Sequence, residues 1–282
     1  MGAEGRGRYP AEVRPPAIFG ALLATALGCD RGPDLDLRPA EAARVETTSA
    51  ASAIAEISTT PAALPALPDL PDLPDLPLAP ATRYARLAPE ACDAELVARA
   101  IPHERLGPTR GVAAPARLTG PISGVTFRTL LPEKIRARSP YEIFDCRLLL
   151  ALDDFAKQLA AAHVVEVFHY SAYRPPPAGW AEGPFGLRHD GGLAIDVAYF
   201  RNADGSALNV ERDFAPRAAE RPCAPGPIPK NATSESLALR RLVCDAADKQ
   251  LFHLALTPDY DRTHRDHLHL EVTPGASSFV VR

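Results

Sequence analysis

The chain has little of what binds nucleic acid or spans a membrane. Its net charge is −4 and its pI is near 6.1, so it lacks the basic footprint that phosphate backbones and anionic lipid surfaces require. Its conspicuous apolar run, residues 17–27, has eleven residues, well short of the roughly 20 needed to cross a bilayer. No pair of cysteines is spaced C-x-x-C, which argues against a cysteine zinc site or a thioredoxin-like motif. Lysine is scarce, with four residues against 27 arginines; this bias fits a GC-rich coding sequence and says little about function. Proline, by contrast, is in excess, but locally. Twelve of the 30 prolines precede residue 81, and seven of those lie within 61–80. With 46% hydrophobic and 23% charged residues, the remainder suits one globular domain with a sizeable core.

The first thirty residues carry an address. Arg6, Arg8 and Arg14 precede the apolar run, which ends at Gly28-Cys29. This is the layout of a secretory signal, and the small residue before Cys29 resembles a bacterial lipoprotein processing site. Export is expected, to the periplasm or cell envelope, with lipidation at Cys29 as the only membrane attachment. Residues 1–29 then form the signal and 30–82 a Pro/Ala-rich linker. In that linker Pro68-Asp69-Leu70 recurs as Pro71-Asp72-Leu73 and Pro74-Asp75-Leu76. Proline at every third position fixes φ and removes amide donors, so an extended polyproline II arm is predicted. Residues 83–282 are the predicted folded domain.

Four cysteines remain, an even number suited to an oxidising compartment. They allow three pairings. Cys223–Cys244 with Cys92–Cys146 is favoured, because the first bond would tie down a proline-rich loop after Cys223.

Ser139-Pro140-Tyr141-Glu142 reads as a capping box with proline at the first helical position. Behind it Phe144, Leu148, Leu152, Phe155 and Leu159 make one apolar helical stripe. A β-branched run at 164–168 reads as a buried strand and 192–200 as a second, with a possible third near Asn209. A second amphipathic helix is expected over 234–251, with short strands at 252–256 and 268–272. Helices and strands mix without regular βαβ repetition, which predicts an α+β fold: a small, mostly antiparallel sheet flanked by helices.

Chemistry concentrates in two stretches. In His189-Asp190-Gly191-Gly192-Leu193-Ala194-Ile195-Asp196, a straight strand would hold His189 and Asp196 about 23 Å apart on opposite faces. They meet only if the chain folds back, which Gly191-Gly192 permits. In the second, His264-Arg265-Asp266-His267-Leu268-His269-Leu270-Glu271, His267, His269 and Glu271 share one strand face. Imidazoles on a buried face are costly unless a cation or hydrogen bonds compensate. His189, Asp196 and one of these histidines make a His₂-carboxylate set with an open fourth position, the arrangement of catalytic zinc. His163, His169 and His253 flank strands and read as structural; His103 is unassigned.

The pattern His189, Gly192, Ala194, Asp196 with His267-x-His269 is similar to zinc peptidases of bacterial cell walls: D-Ala-D-Ala carboxypeptidases and dipeptidases, lysostaphin-type and murein endopeptidases. More closely, the chain resembles the extensin-like C-terminal domain family. The residues that carry this are Leu256-Thr257-Pro258-Asp259-Tyr260 before His264, Cys146-Arg147-Leu148, Tyr170-Ser171-Ala172-Tyr173-Arg174 and Ala203-Asp204-Gly205. The resemblance implies a single zinc ion on His189, Asp196 and His269, and a D-Ala-D-Ala carboxypeptidase-like core. It implies hydrolysis of peptidoglycan stem peptides beside a D-amino acid. A monomer is expected. Asp266, His267 and His264 are candidates for the base; Asp266 stands where the carboxypeptidase branch has the longer Glu. Arg174 is expected to meet an oxyanion or a substrate carboxylate, and Ser171, Tyr173 and Trp180 to touch substrate. The competing expectation is a zinc-binding module without turnover that holds cell wall or a protein partner.

Overall fold

A computed structural model describes residues 77–179, 187–214, 222–224 and 231–282. The expected signal, Cys29, most of the linker and Trp180 lie outside the described residues. Packed structure begins with α1 (Pro80–Ala85), three residues before the expected linker boundary. Ala81 and Tyr84 are buried there, and the Ala81 amide donates to the Gln250 carbonyl (3.1 Å).

The following elements are α2 (Pro89–Ala98), β1 (His103–Arg105), β2 (Pro115–Leu118), β3 (Thr126–Thr129), α3 (Glu133–Arg136), β4 (Phe144–Asp145) and α4 (Cys146–Ala161). Then come β5 (Val164–His169), β6 (Ala194–Asn202), β7 (Ala207–Asn209), α5 (Val210–Asp213), α6 (Ser234–Asp248), β8 (Leu254–Leu256), β9 (Leu268–Glu271) and β10 (Val280–Val281). The fold is α+β. Its main sheet runs β10-β8-β9-β6-β5-β3, with β7 also on β6, and β1-β2-β4 form a smaller sheet. The central pairings, β8–β9, β9–β6 and β6–β5, are antiparallel, while the outer pairs β10–β8 and β3–β5 are parallel. The main sheet is therefore larger than expected, and mixed at its margins.

The long helix starts later than the capping box suggests. Ser139 does cap, accepting from the Tyr141 amide (3.1 Å), but only a 3-10 turn, Pro140–Glu142. Glu142 is drawn away to the β3 edge, where it accepts from the Thr129 amide (2.6 Å) and hydroxyl (2.9 Å). Phe144 and Asp145 then pair with β2, so Phe144 is buried on a strand and not on the helix. Asp145 is the real cap of α4, accepting from the Arg147 amide (3.0 Å). The rest of the stripe, Leu148, Leu152, Phe155 and Leu159, is fully buried. Phe155 meets Phe200 of β6 and Phe252 edge-on, so α4 carries the core against the sheet. Cys92–Cys146 bonds α2 to the start of α4, and Cys223–Cys244 bonds the 222–224 segment to α6, the favoured pairing.

Between β5 and β6 the chain folds back as the glycines allow. A 3-10 turn, Arg188–Gly191, is closed by Gly192 at φ 64°, in the left-handed region open to glycine. The Gly192 carbonyl accepts from the Asp145 amide (2.8 Å). A Cβ on Gly192 would stand 2.8 Å from that amide nitrogen and 3.2 Å from the Phe144 carbonyl carbon, both backbone atoms unable to retreat cheaply. Gly192→Ala is therefore expected to cost more than the ~1–2 kcal/mol of left-handed strain alone, read as a lowered midpoint in chemical denaturation.

Candidate metal centre

Asp196 lies on β6 directly opposite His269 on β9, so the antiparallel ladder itself puts the two side chains together on one face. The fold-back turn delivers His189 to the same place. His189 Nε2 is 3.1 Å from Asp196 Oδ1 and 3.3 Å from His269 Nδ1, and His269 Nδ1 is 3.0 Å from Asp196 Oδ1. All three residues are buried.

The outer nitrogens of both histidines are already committed. His189 Nδ1 lies 2.9 Å from the Ala172 carbonyl, and His269 Nε2 lies 3.0 Å from Glu271 Oε2. A carbonyl and a carboxylate only accept, so each outer nitrogen carries the proton and each inner nitrogen presents a lone pair. Asp196 Oδ1 thus faces two lone pairs: three acceptors and no donor. Such a group is repulsive unless a positive charge, on an imidazole or as a metal ion, sits among them. Two imidazole nitrogens and one carboxylate oxygen fit zinc, and anchoring of the far ring nitrogen by a carbonyl or carboxylate is the usual support for a metal-bound histidine. Burial alone would raise the pKa of Asp196; where the positive charge is an imidazolium, hydrogen bonding from His189 and His269 and the charges of His189 and His267 drive it well below the ordinary carboxylate range. Burial likewise opposes charge on His269, yet hydrogen bonds with Asp196 and Glu271 outweigh it and raise its pKa.

The remaining expected residues surround this cluster unequally. Asp266 Oδ1 accepts from His267 Nδ1 (2.9 Å), so His267 Nε2 presents its lone pair to the cluster, 3.5 Å from Asp196 Oδ1. Asp266 Oδ2 accepts from the Tyr170 hydroxyl (3.3 Å), whose pKa burial and the Asp266 charge push up to about 12. Asp266 is thereby an orienting group on His267. His264 is held by Asp261 (2.7 Å), its ring 5.1 Å from that of His267. Arg174 Nη2 pairs with Asp196 Oδ2, and its Nε donates to Ser171 Oγ (2.8 Å).

Ser171 and Tyr173, expected to touch substrate, also make supporting contacts. Ser171 is buried and holds Arg174; its carbonyl also accepts from the Asp196 amide (3.1 Å). Tyr173 is buried with its hydroxyl donating to the Arg110 carbonyl (2.9 Å), so it braces the site from behind. Conversely, sequence alone assigns no role to Glu271 or Tyr170. The alternation from His269 marks the face of Glu271, but nothing local shows that its carboxylate meets the ring, nor that Tyr170 reaches Asp266 from 96 residues away. Glu271 is fixed in turn by the Thr273 hydroxyl (2.8 Å) and Arg188 (3.5 Å).

His253 and His103 are structural. The first accepts from the Thr273 amide (3.0 Å) and the second contacts the Ile101 carbonyl (2.8 Å). His169 is wholly buried, edge-on to Phe144, and neither ring nitrogen has a hydrogen-bond partner among the described residues. Burial drives its pKa down to about 3.

Two outcomes follow from these contacts. Glu271→Ala is expected to weaken zinc binding about 10–100-fold, measured by chelator competition, with the fold retained by circular dichroism. His169 protonates near 6.5 when unfolded and near 3 when folded. Its contribution to stability is therefore complete above 6.5 and lost as pH falls from 6.5 through 3. Melting curves between pH 7 and 5 are expected to fall less steeply in His169→Leu than in the wild type; parallel curves would contradict this.

Comparison with known families gives one match: a family model described as Extensin-like protein C-terminus covers residues 90–279. No curated protein and no solved structure matches the chain.

Proposed function

The chain belongs to the extensin-like protein C-terminal family, and on that footing we propose that it is an exported zinc-dependent peptidase. Its substrate is bacterial peptidoglycan, cut at a peptide bond next to a D-amino acid. The observation that carries the reading is the buried trio His189 Nε2, His269 Nδ1 and Asp196 Oδ1, three acceptors within 3.3 Å of one another with their outer nitrogens tied back. A bare structural site would need no poised base beside it, and this one has His267. The signal-like first 29 residues and the proline-rich segment after them support display of the domain at the envelope, tethered through Cys29.

Bound zinc would supply a water acidified to a pKa of about 7 and a Lewis acid for the carbonyl. The protein's own groups do the rest. His267 Nε2 takes the proton released as water oxygen bonds to the acyl carbon, and Asp266 stabilises the imidazolium it becomes. As the C–N bond breaks, the same proton passes to the leaving nitrogen, giving one carboxylic acid and one amine, which ionise to carboxylate and ammonium. Arg174, half exposed beside Asp196, meets negative charge on the substrate side.

Metal analysis and incubation of the purified protein with muropeptides test this. His189→Ala is expected to lose stoichiometric zinc. His267→Ala is expected to keep zinc and lose about 10²–10⁴-fold in kcat. Stoichiometric zinc with no product from any muropeptide would instead favour a binding module without turnover, and a folded protein without zinc would refute both.

A further inference from the structure

A chain of hydrogen bonds runs from the metal-type cluster to the first helix of the domain. His269 Nε2 donates to Glu271 Oε2 (3.0 Å), and Glu271 Oε1 accepts from the Thr273 hydroxyl (2.8 Å). The Thr273 amide donates to His253 Nδ1 (3.0 Å). Burial lowers the pKa of His253, so the ring is neutral and its one proton sits on Nε2. That nitrogen donates to Thr82 Oγ1 on α1 (3.3 Å). Thr82, His253, Glu271 and His269 are all buried.

A buried donor that loses its acceptor keeps its full desolvation cost, and linked hydrogen bonds orient one another. The backbone reinforces the link: the His253 amide donates to the Glu271 carbonyl (2.8 Å), and the His253 ring stacks on Phe279 (5.3 Å, 10°). α1 has only six residues, too few to hold a helix unaided, so it exists by docking. Ala81 and Tyr84 fill the core, the Ala81 amide donates to the Gln250 carbonyl (3.1 Å), and the Tyr84 hydroxyl meets Asp154 and Arg99. All of α1 precedes residue 90, where the family match begins. A packing role alone would be served as well by valine at this position, which has the shape of threonine without a hydroxyl to bury.

We propose that Thr82 and His253 are positioning residues of the metal centre: docked α1 fixes His253, which through Thr273 and Glu271 holds the His269 ring with Nδ1 turned to the ion. The inference rests on the zinc reading of the cluster and deepens it, adding a segment outside the family match to the ion's support. Each link fixes the next. Glu271 could rotate about its own side-chain bonds if only His269 held it; the Thr273 hydroxyl pins its second oxygen, and the Thr273 amide is pinned in turn by His253. Zinc affinity therefore depends on whether α1, at the end of the proline-rich segment, is docked. The coupling runs through the protein interior and touches no substrate.

The test measures zinc affinity of the full chain by chelator competition. Thr82→Val, which keeps the packing and removes the acceptor, is expected to weaken zinc binding about three- to tenfold, less than loss of Glu271 itself. Thr82→Ser should restore it. Tyr84→Phe cuts the bonds of α1 to Asp154 and Arg99 but leaves the chain intact, and is expected to lower the melting midpoint with zinc affinity unchanged. Once Glu271→Ala has severed the chain, adding Thr82→Val should weaken binding no further. Undiminished affinity in Thr82→Val, an equal loss in Tyr84→Phe, or additive losses in the double variant would each overturn the proposal. Ring-nitrogen NMR of the zinc-free protein reads the chain without the ion. There Thr82→Val is expected to shift the His253 and His269 signals, and an unmoved His269 would also overturn the proposal. If the shift appears but the wild type binds no zinc, the chain from α1 to His269 stands and the zinc reading falls.

Discussion

Everything at the site hangs on the register of β6 against β9. With Asp196 opposite His269, the carboxylate and the imidazole share one face; a slip of one residue would send one of them to the other side of the sheet. That register is protected by burial on both faces. Leu193, Ile195 and Val197 alternate with Ala194, Asp196 and Ala198, and all six are buried. Apolar residues anchor one face in the core, and small ones leave room around the acid on the other. The fold-back turn then adds His189, and the hydrogen bond from the Asp145 amide to the Gly192 carbonyl ties that turn to the cap of α4. The helix that organises the core and the turn that delivers His189 are joined at one peptide group.

Burying two imidazoles and a carboxylate with their acceptors facing inward works against folding, so the surrounding contacts are as informative as the cluster. The Ala172 carbonyl and Glu271 hold the two rings in the tautomers that create the conflict. Glu271 is itself fixed by Thr273 and Arg188, and Asp196 by Arg174. Arg188 adopts φ 49°, a left-handed conformation unusual for a side-chain-bearing residue, next to His189. Local backbone strain beside a preorganised site is a common association. These contacts satisfy polar groups whose burial would otherwise be costly. His267 extends them outward through Asp266 to Tyr170, so the imidazole best placed to move a proton is oriented from the Tyr170 side.

Local pattern made the two clusters, the glycine hinge and both amphipathic helices legible, because alternation and 3.6-residue periodicity are written in neighbouring residues. The pairing Cys223–Cys244 with Cys92–Cys146 was preferred on a loop argument, and both bonds are present. The start of α4 was misplaced by several residues. Ser139 and Glu142 satisfy a capping pattern, but Glu142 finds a better partner in Thr129, a contact no local rule contains. Ser171 and Tyr173 hydrogen-bond Arg174 and the Arg110 carbonyl, partners that their place in the motif does not reveal. The small sheet β1-β2-β4 and the parallel edges leave no local signal, since strands of two to four residues carry no periodicity to read.

The sequence by itself determined which residue types are available and which share a face: two histidine–acid clusters and a hinge able to fold back. Those properties depend on a few consecutive residues and on backbone rules of period two and 3.6. Only the tertiary structure decided how they combine. It brought His189, Asp196 and His269, up to 80 residues apart, within hydrogen-bonding distance, chose their tautomers through Ala172 and Glu271, and set Asp266 against His267 and Tyr170. Distances between side chains remote in sequence follow from strand register and packing, and no stretch of the chain read alone contains them.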